Sequence, residues 1–133
     1  MMRYLLLLSV LFLTACNKPN NKLKEIITTA DSVAINYFKG DGTMDTVVKV
    51  KIVKDSQVIT QLGTLISAAT TKVNLKCGYD GSLHFFKKNV VVIDIDFRMN
   101  DKDCMYFTFK QAGEMGATIL TQDAKQLLNT LNK

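Results

Sequence analysis

The stretch Val90-Val91-Val92-Ile93-Asp94-Ile95-Asp96-Phe97, followed after a polar break by Met105-Tyr106-Phe107-Thr108-Phe109-Lys110, decides the fold. Val91, Ile93, Ile95 and Phe97 oppose Val90, Val92, Asp94 and Asp96, while Met105, Phe107 and Phe109 oppose Tyr106, Thr108 and Lys110. Alternation with period two is the pattern of strands that bury one face. Val48, Val50 and Ile52 against Lys49 and Lys51 repeat it. Shorter strand candidates cover 32–38, 72–78, 82–86 and 117–120. Between them stand turn residues: Gly40-Asp41-Gly42, Asp80-Gly81, Lys88-Asn89, 100–103 and 113–116. Links this short join antiparallel neighbours, because a parallel pair needs a crossover of about a dozen residues or more.

Two segments change the period to that of a helix. Within 54–69, Val58, Ile59, Leu62, Leu65, Ile66 and Ala69 share a stripe, with Asp55 or Ser56 as N-cap. At the C-terminal end Thr121 caps, Asp123 sits in the positive first turn, and Ala124, Leu127, Leu128 and Leu131 form one face. The order read is β-β-α-β-β-β-β-α. It describes a single α+β domain, an antiparallel sheet of about 5–7 strands with two amphipathic helices on one face. Leu23, Ile26, Ile27 and Ala30 also fit a short helix.

The chain has 133 residues, 47% hydrophobic and 22% charged, with 17 Lys+Arg against 12 Asp+Glu, a net charge of +5, one His and one Pro. That balance excludes intrinsic disorder, collagen-like repeats and a disulfide-dense miniprotein. It suits one domain with its own core.

Met1-Met2-Arg3, the apolar run Leu5 to Leu13, and then Thr14-Ala15-Cys16 read as an export signal. Its apolar run is too short to span a bilayer core, which takes about 20 residues. Leu13-Thr14-Ala15-Cys16 resembles the lipobox of bacterial lipoproteins. That resemblance implies a diacylglycerol on the Cys16 thiol, cleavage before it, and acylation of the new amine. It therefore implies a cell-envelope protein held on the membrane through Cys16. Asn17 is not the Asp that retains such proteins in the inner membrane, which points to the outer membrane. The domain division is 1–15 signal peptide, 16–24 lipidated Cys and flexible tether, and 25–133 the α+β domain. Lys18, Lys22 and Lys24 in the tether could touch anionic headgroups, although a solvated linker is the preferred reading of them.

Cys77 and Cys104 remain. Two cysteines in an exported domain are expected to form a disulfide. Separate thiols and half of a metal site with His84 are the alternatives, but a closed Cys₂His₂ site needs a second His. Strict alternation turns Cys104 outward while Cys77 shares a side with Val73 and Leu75, so the bond requires a bulge, a twisted strand end, or Cys104 lying in the turn.

Asp80, Ser82 and His84 suggest a catalytic triad on paper. Residues two apart on a strand sit about 6.5–7 Å from each other with parallel side chains, which argues against a Ser–His hydrogen bond. Nucleophile-elbow, zinc-protease, Walker A and dinucleotide motifs are absent from the sequence. Asp94, Asp96, Asp101 and Asp103 cluster, but Lys102 stands among them and the calcium-loop spacing is missing. Arg98 is the one arginine after Arg3, a poor basis for nucleic-acid recognition. The reading is no catalytic site, no metal and no cofactor. The sheet face turned from the helices should display His84, Phe86, Val90, Val92 and Tyr106, together with Tyr79. Aromatic and aliphatic groups on one open face point to a partner surface. Two functions follow: a non-catalytic binding or inhibitor module for an envelope protein or glycan, and a structural or assembly accessory of the envelope that self-associates or joins a larger complex.

Overall fold

The computed structural model describes residues 18–39, 46–74 and 76–133. The 1–15 signal segment, Cys16, the Gly40-Asp41-Gly42 turn and Leu75 lie outside the described residues. Chain order is α1 (Asn21–Thr28), β1 (Ser32–Phe38), β2 (Val47–Val53), α2 (Ser56–Ile66), β3 (Thr70–Thr71), β4 (Gly81–Lys87), β5 (Val90–Arg98), β6 (Tyr106–Gln111), β7 (Glu114–Ile119) and α3 (Gln122–Leu131). All seven strands form one antiparallel sheet in the order β2-β1-β4-β5-β6-β7-β3. The fold is α+β in one domain, with one helix more than the two that periodicity fixed.

Directly paired residues share a face of a sheet, so the register sorts the side chains. Ile35 opposite Leu83, Leu83 opposite Ile95, and Ile95 opposite Phe109 place one row beneath the helices. Val33, Phe85, Ile93, Phe97 and Phe107 complete that row, and the helices close it with Leu23, Ile27, Ile59, Leu62, Ile66, Ala124 and Leu128. Tyr37 enters the same core, and its hydroxyl donates to the Leu128 carbonyl at 2.7 Å. Burial pushes that phenol up to about 12.

The caps follow the sequence reading. Asp55 accepts from Gln57 N to start α2, and Thr121 accepts from Ala124 N to start α3. Gly63 is required where α2 crosses α1, since a Cβ there would stand 2.9 Å from Thr28 Cγ2.

Three expectations are corrected. Residues 20–24 are not a flexible tether. Asn20 caps α1, its amide donates to the Gln111 side chain at 2.9 Å, and Leu23 and Ile27, one turn apart, are fully buried. Lys18 is tied to the sheet as well, its carbonyl accepting from Thr70 N. The strand expected over 72–78 is only the pair Thr70–Thr71, because the following residues leave the sheet to carry Cys77 over its far side. Val91, expected on the core side, is exposed. A register shift beside Phe85 and Phe86 leaves Val92 without an opposite and pairs Val91 with Phe86.

The valines of β2 also turn outward. Val53 is buried, but Lys51 and Lys49 take the core side and Val48, Val50 and Ile52 face solvent. Lys49 crosses the sheet edge to donate to the Asn132 carbonyl, at the negative C-terminal end of α3. That contact gives a lysine a place on the helix side and fixes the opposite face as aliphatic.

Candidate functional site

The face turned from the helices is divided in two. Over β5 and β6 it is covered by the chain at 76–80 and 99–104. Cys77 and Cys104 form a disulfide with Cα atoms 6.2 Å apart. Cys104 lies in the turn before β6 and donates its amide to Asp101 O, which answers the orientation problem posed by strict alternation. Beneath the bridge, Tyr79 and Tyr106 meet edge to face with centroids 6.4 Å apart, and Tyr79 OH accepts from Thr108 Oγ1 at 3.0 Å. Both tyrosines are buried, at 9% and 6% exposure. They therefore leave the expected partner face: the disulfide loop covers them, which the strand pattern alone gave no means of seeing.

Asp80 latches this cover. It is 2% exposed and accepts from Arg98 Nη1 at 2.6 Å, Met99 N at 2.7 Å and Asn100 N at 2.9 Å. A buried carboxylate meeting a guanidinium and two backbone amides is satisfied electrostatically and geometrically. Gly81 follows because nothing larger fits: a Cβ would lie 2.3 Å from both Asn36 O and a Phe97 ring carbon.

The other half of the face is open, and His84, Phe86 and Val92 remain on it. At its centre is a hydrogen-bonded chain across three strands. Asp94, opposite His84 on β5, lies 2.5 Å from His84 Nδ1. His84 Nε2 lies 3.1 Å from Ser82 Oγ and 3.2 Å from Asn36 Nδ2. The Asn36 amide nitrogen only donates, so Nε2 accepts, and the imidazole proton stands at Nδ1 toward Asp94. This Ser–His contact is one that strand spacing argued against. It forms because Asp94 holds one side of the ring and the imidazole leans along the strand over Ser82. Asp80 takes no part in it.

Ser82 is 5% exposed beneath His84 and Asn36, so its hydroxyl is closed to an incoming substrate. The chain does give His84 a carboxylate for one nitrogen and two short polar groups for the other. Asp96, opposite Ser82, has its carboxyl raised by burial; the nearby His84 lowers it and Asp94 raises it. The centre thus combines an exposed acid, a half-buried acid and an oriented imidazole.

Aliphatic groups flank this centre on both sides. Val48, Val50 and Ile52 are 60%, 55% and 55% exposed along β2, and Val90, Val91 and Val92 are exposed at the β4–β5 hairpin beside the half-buried Phe86. The β2 row belongs to the same open face, because Val50 pairs with Asn36 and Ile52 with Ala34. The period-two pattern already set those three residues together; that they face solvent depends on Lys49 and Lys51 finding the helix side.

Among the described residues one set of three potential metal ligands converges, Cys77, Asp101 and Cys104, within 4.8 Å. The two sulfurs are bonded to each other, leaving one carboxylate, and His84 is not among them. Among the described residues no helix is long and apolar enough to cross a membrane. Comparison with protein-family models, curated proteins and solved structures returns no match.

Proposed function

We propose that the protein is a lipid-anchored binding module of the bacterial cell envelope that docks a partner protein on the open half of its sheet. One observation carries this: a continuous face with exposed Val48, Val50 and Ile52 on one side, exposed Val92 on the other, and the Asp94–His84 pair between them. Aliphatic rows around a polar centre are the anatomy of a specific interface. A partner that fits presents aliphatic side chains to the two rows and a basic group to Asp94 and Asp96. The Leu13-Thr14-Ala15-Cys16 motif supports the anchor, and the Cys77–Cys104 bridge fits an exported, oxidised setting.

A second reading is favoured by one feature. β2 is a seven-residue strand at the edge of the sheet, without proline, and paired on one side only among the described residues. Such an edge pairs readily with another strand, including β2 of a second copy. In that case the protein is an assembly accessory of the envelope.

Capture separates the readings. The full chain, with a Val50→Asp/Val92→Asp variant of unchanged circular dichroism as control, is exposed to detergent-solubilised envelope. A stoichiometric foreign protein held by the wild type and lost by the variant supports the binding module. Recovery of the protein's own copies supports self-assembly, and identical recovery by both proteins overturns the role of the open face.

A further inference from the structure

The sheet order assigns the two edges of the domain opposite duties. Resting on the acyl-anchor reading above, we infer that the domain stands on the membrane on its β3 edge, with anionic headgroups as the surface it meets. The β2 edge is then held away from the bilayer. The first support is chain length. Lys18 is already fixed, its carbonyl bonded to Thr70 N on β3, and Cys16 is only two residues earlier. Two residues reach at most about 7 Å, so an acylated Cys16 brings β3 to the membrane surface with no room for a spacer. Asn20 then ties the same segment to Gln111, at the β6–β7 turn.

The second support is what this edge displays. Lys18, Lys22, Lys72 and Lys110 are exposed there, with Val73 on the chain leaving β3 and Met115, which pairs with Lys110, exposed beside them. Glu114 is the acid of that turn. Cations around a few aliphatic groups suit an anionic headgroup layer.

The consequence concerns the partner face. β3 and β2 are the two ends of a seven-strand order, separated by six inter-strand steps. At about 4.8 Å per step, β2 stands about 29 Å from β3 along the sheet. Val48, Val50 and Ile52 are thereby presented into the aqueous space rather than to lipid.

The chain has no Trp, so single tryptophans report depth without background. Met115→Trp and Ile52→Trp are each made in the full chain, at positions already exposed, and purified from membranes. The mass of the N-terminal peptide establishes acylation of Cys16. The proteins are then reconstituted into vesicles of phosphatidylethanolamine and phosphatidylglycerol with brominated acyl chains. The expected result is loss of emission for Met115→Trp and full emission for Ile52→Trp, with a Cys16→Ser version of Met115→Trp unquenched. Acylated protein in which both positions are quenched alike, or Ile52→Trp more strongly, overturns the orientation and leaves the anchor standing. An N-terminal peptide without acyl groups overturns the anchor, and the orientation with it.

Discussion

Replacing Asp80 by Ala tests whether the cover over Tyr79 and Tyr106 is held by one buried carboxylate. Asp80 is 2% exposed and the Arg98 side chain 11%, so their contact is shielded from solvent. Truncation leaves the guanidinium without its partner and frees the amides of Met99 and Asn100. Breaking a buried pair from one side costs about 3–5 kcal/mol. With a denaturant dependence of roughly 3 kcal/mol/M in guanidinium, the unfolding midpoint should fall by about 1–1.7 M. Equilibrium unfolding followed by circular dichroism measures this directly. An Asp80→Ala/Arg98→Met double variant removes both charges and should recover a large part of the loss, because the main cost is the orphaned cation. A midpoint shift under about 0.3 M for Asp80→Ala, or no recovery in the double variant, would refute the latch.

Other expectations concern the bridge, the polar centre and the core. A Cys77→Ser/Cys104→Ser variant releases a loop with a sequence separation of 27, and the chain-entropy model gives a loss of about 3.6 kcal/mol, checked by denaturation. Its Tyr79 and Tyr106 should become reachable by aqueous tyrosine reagents, while Tyr37, buried in the main core, stays protected and serves as the internal reference. The raised Asp96 carboxyl means that the folded state prefers the protonated acid. Its stabilising preference is complete below the ordinary carboxylate value near 3.8 and is lost as pH rises through the folded one. Asp96→Asn should therefore be more stable than wild type at neutral pH, and the difference should close in acid; a constant difference across a pH series would contradict this. Thr118 is fully buried with no partner for its hydroxyl among the described residues, so the isosteric Thr118→Val should gain about 1 kcal/mol in thermal or chemical unfolding.

The fold was largely legible where one physical effect dominates locally. Ile93, Ile95, Phe97, Phe107 and Phe109 declare a buried strand face by period alone, and Asp55 and Thr121 mark helix starts by their capping oxygens. Non-local effects were not legible. The Lys49 contact with the end of α3 decides which side of β2 is aliphatic and exposed, and it joins residues 83 apart. The bulge at Val92 moves Val91 to the other face. Asn20 and Leu23 read as tether because a polar run conceals a cap followed by two buried residues one turn apart.

The candidate site shows the same division. His84, Phe86 and Val92 were legible as outward residues, whereas Tyr79 and Tyr106 were lost to a loop whose path the disulfide sets. Asp94 as the partner of His84 required cross-strand register, and Asn36 required the β1–β4 pairing that brings residues 48 apart together. The sequence distance between such groups carries no signal by itself. Leu23, Ile26 and Ile27 did fit the short helix that α1 proves to be, and Asn20 as its N-cap is the signal that could have set where it starts.

The open face is tested most directly by a photoreactive residue placed at Val50 in cells, beside the same residue at Gln57 on the exposed side of α2. The account predicts one defined adduct from position 50, containing a foreign envelope protein, and none from position 57. No adduct from position 50, or the same adducts from both positions, would contradict the claim that this half of the sheet is where the protein meets its partner.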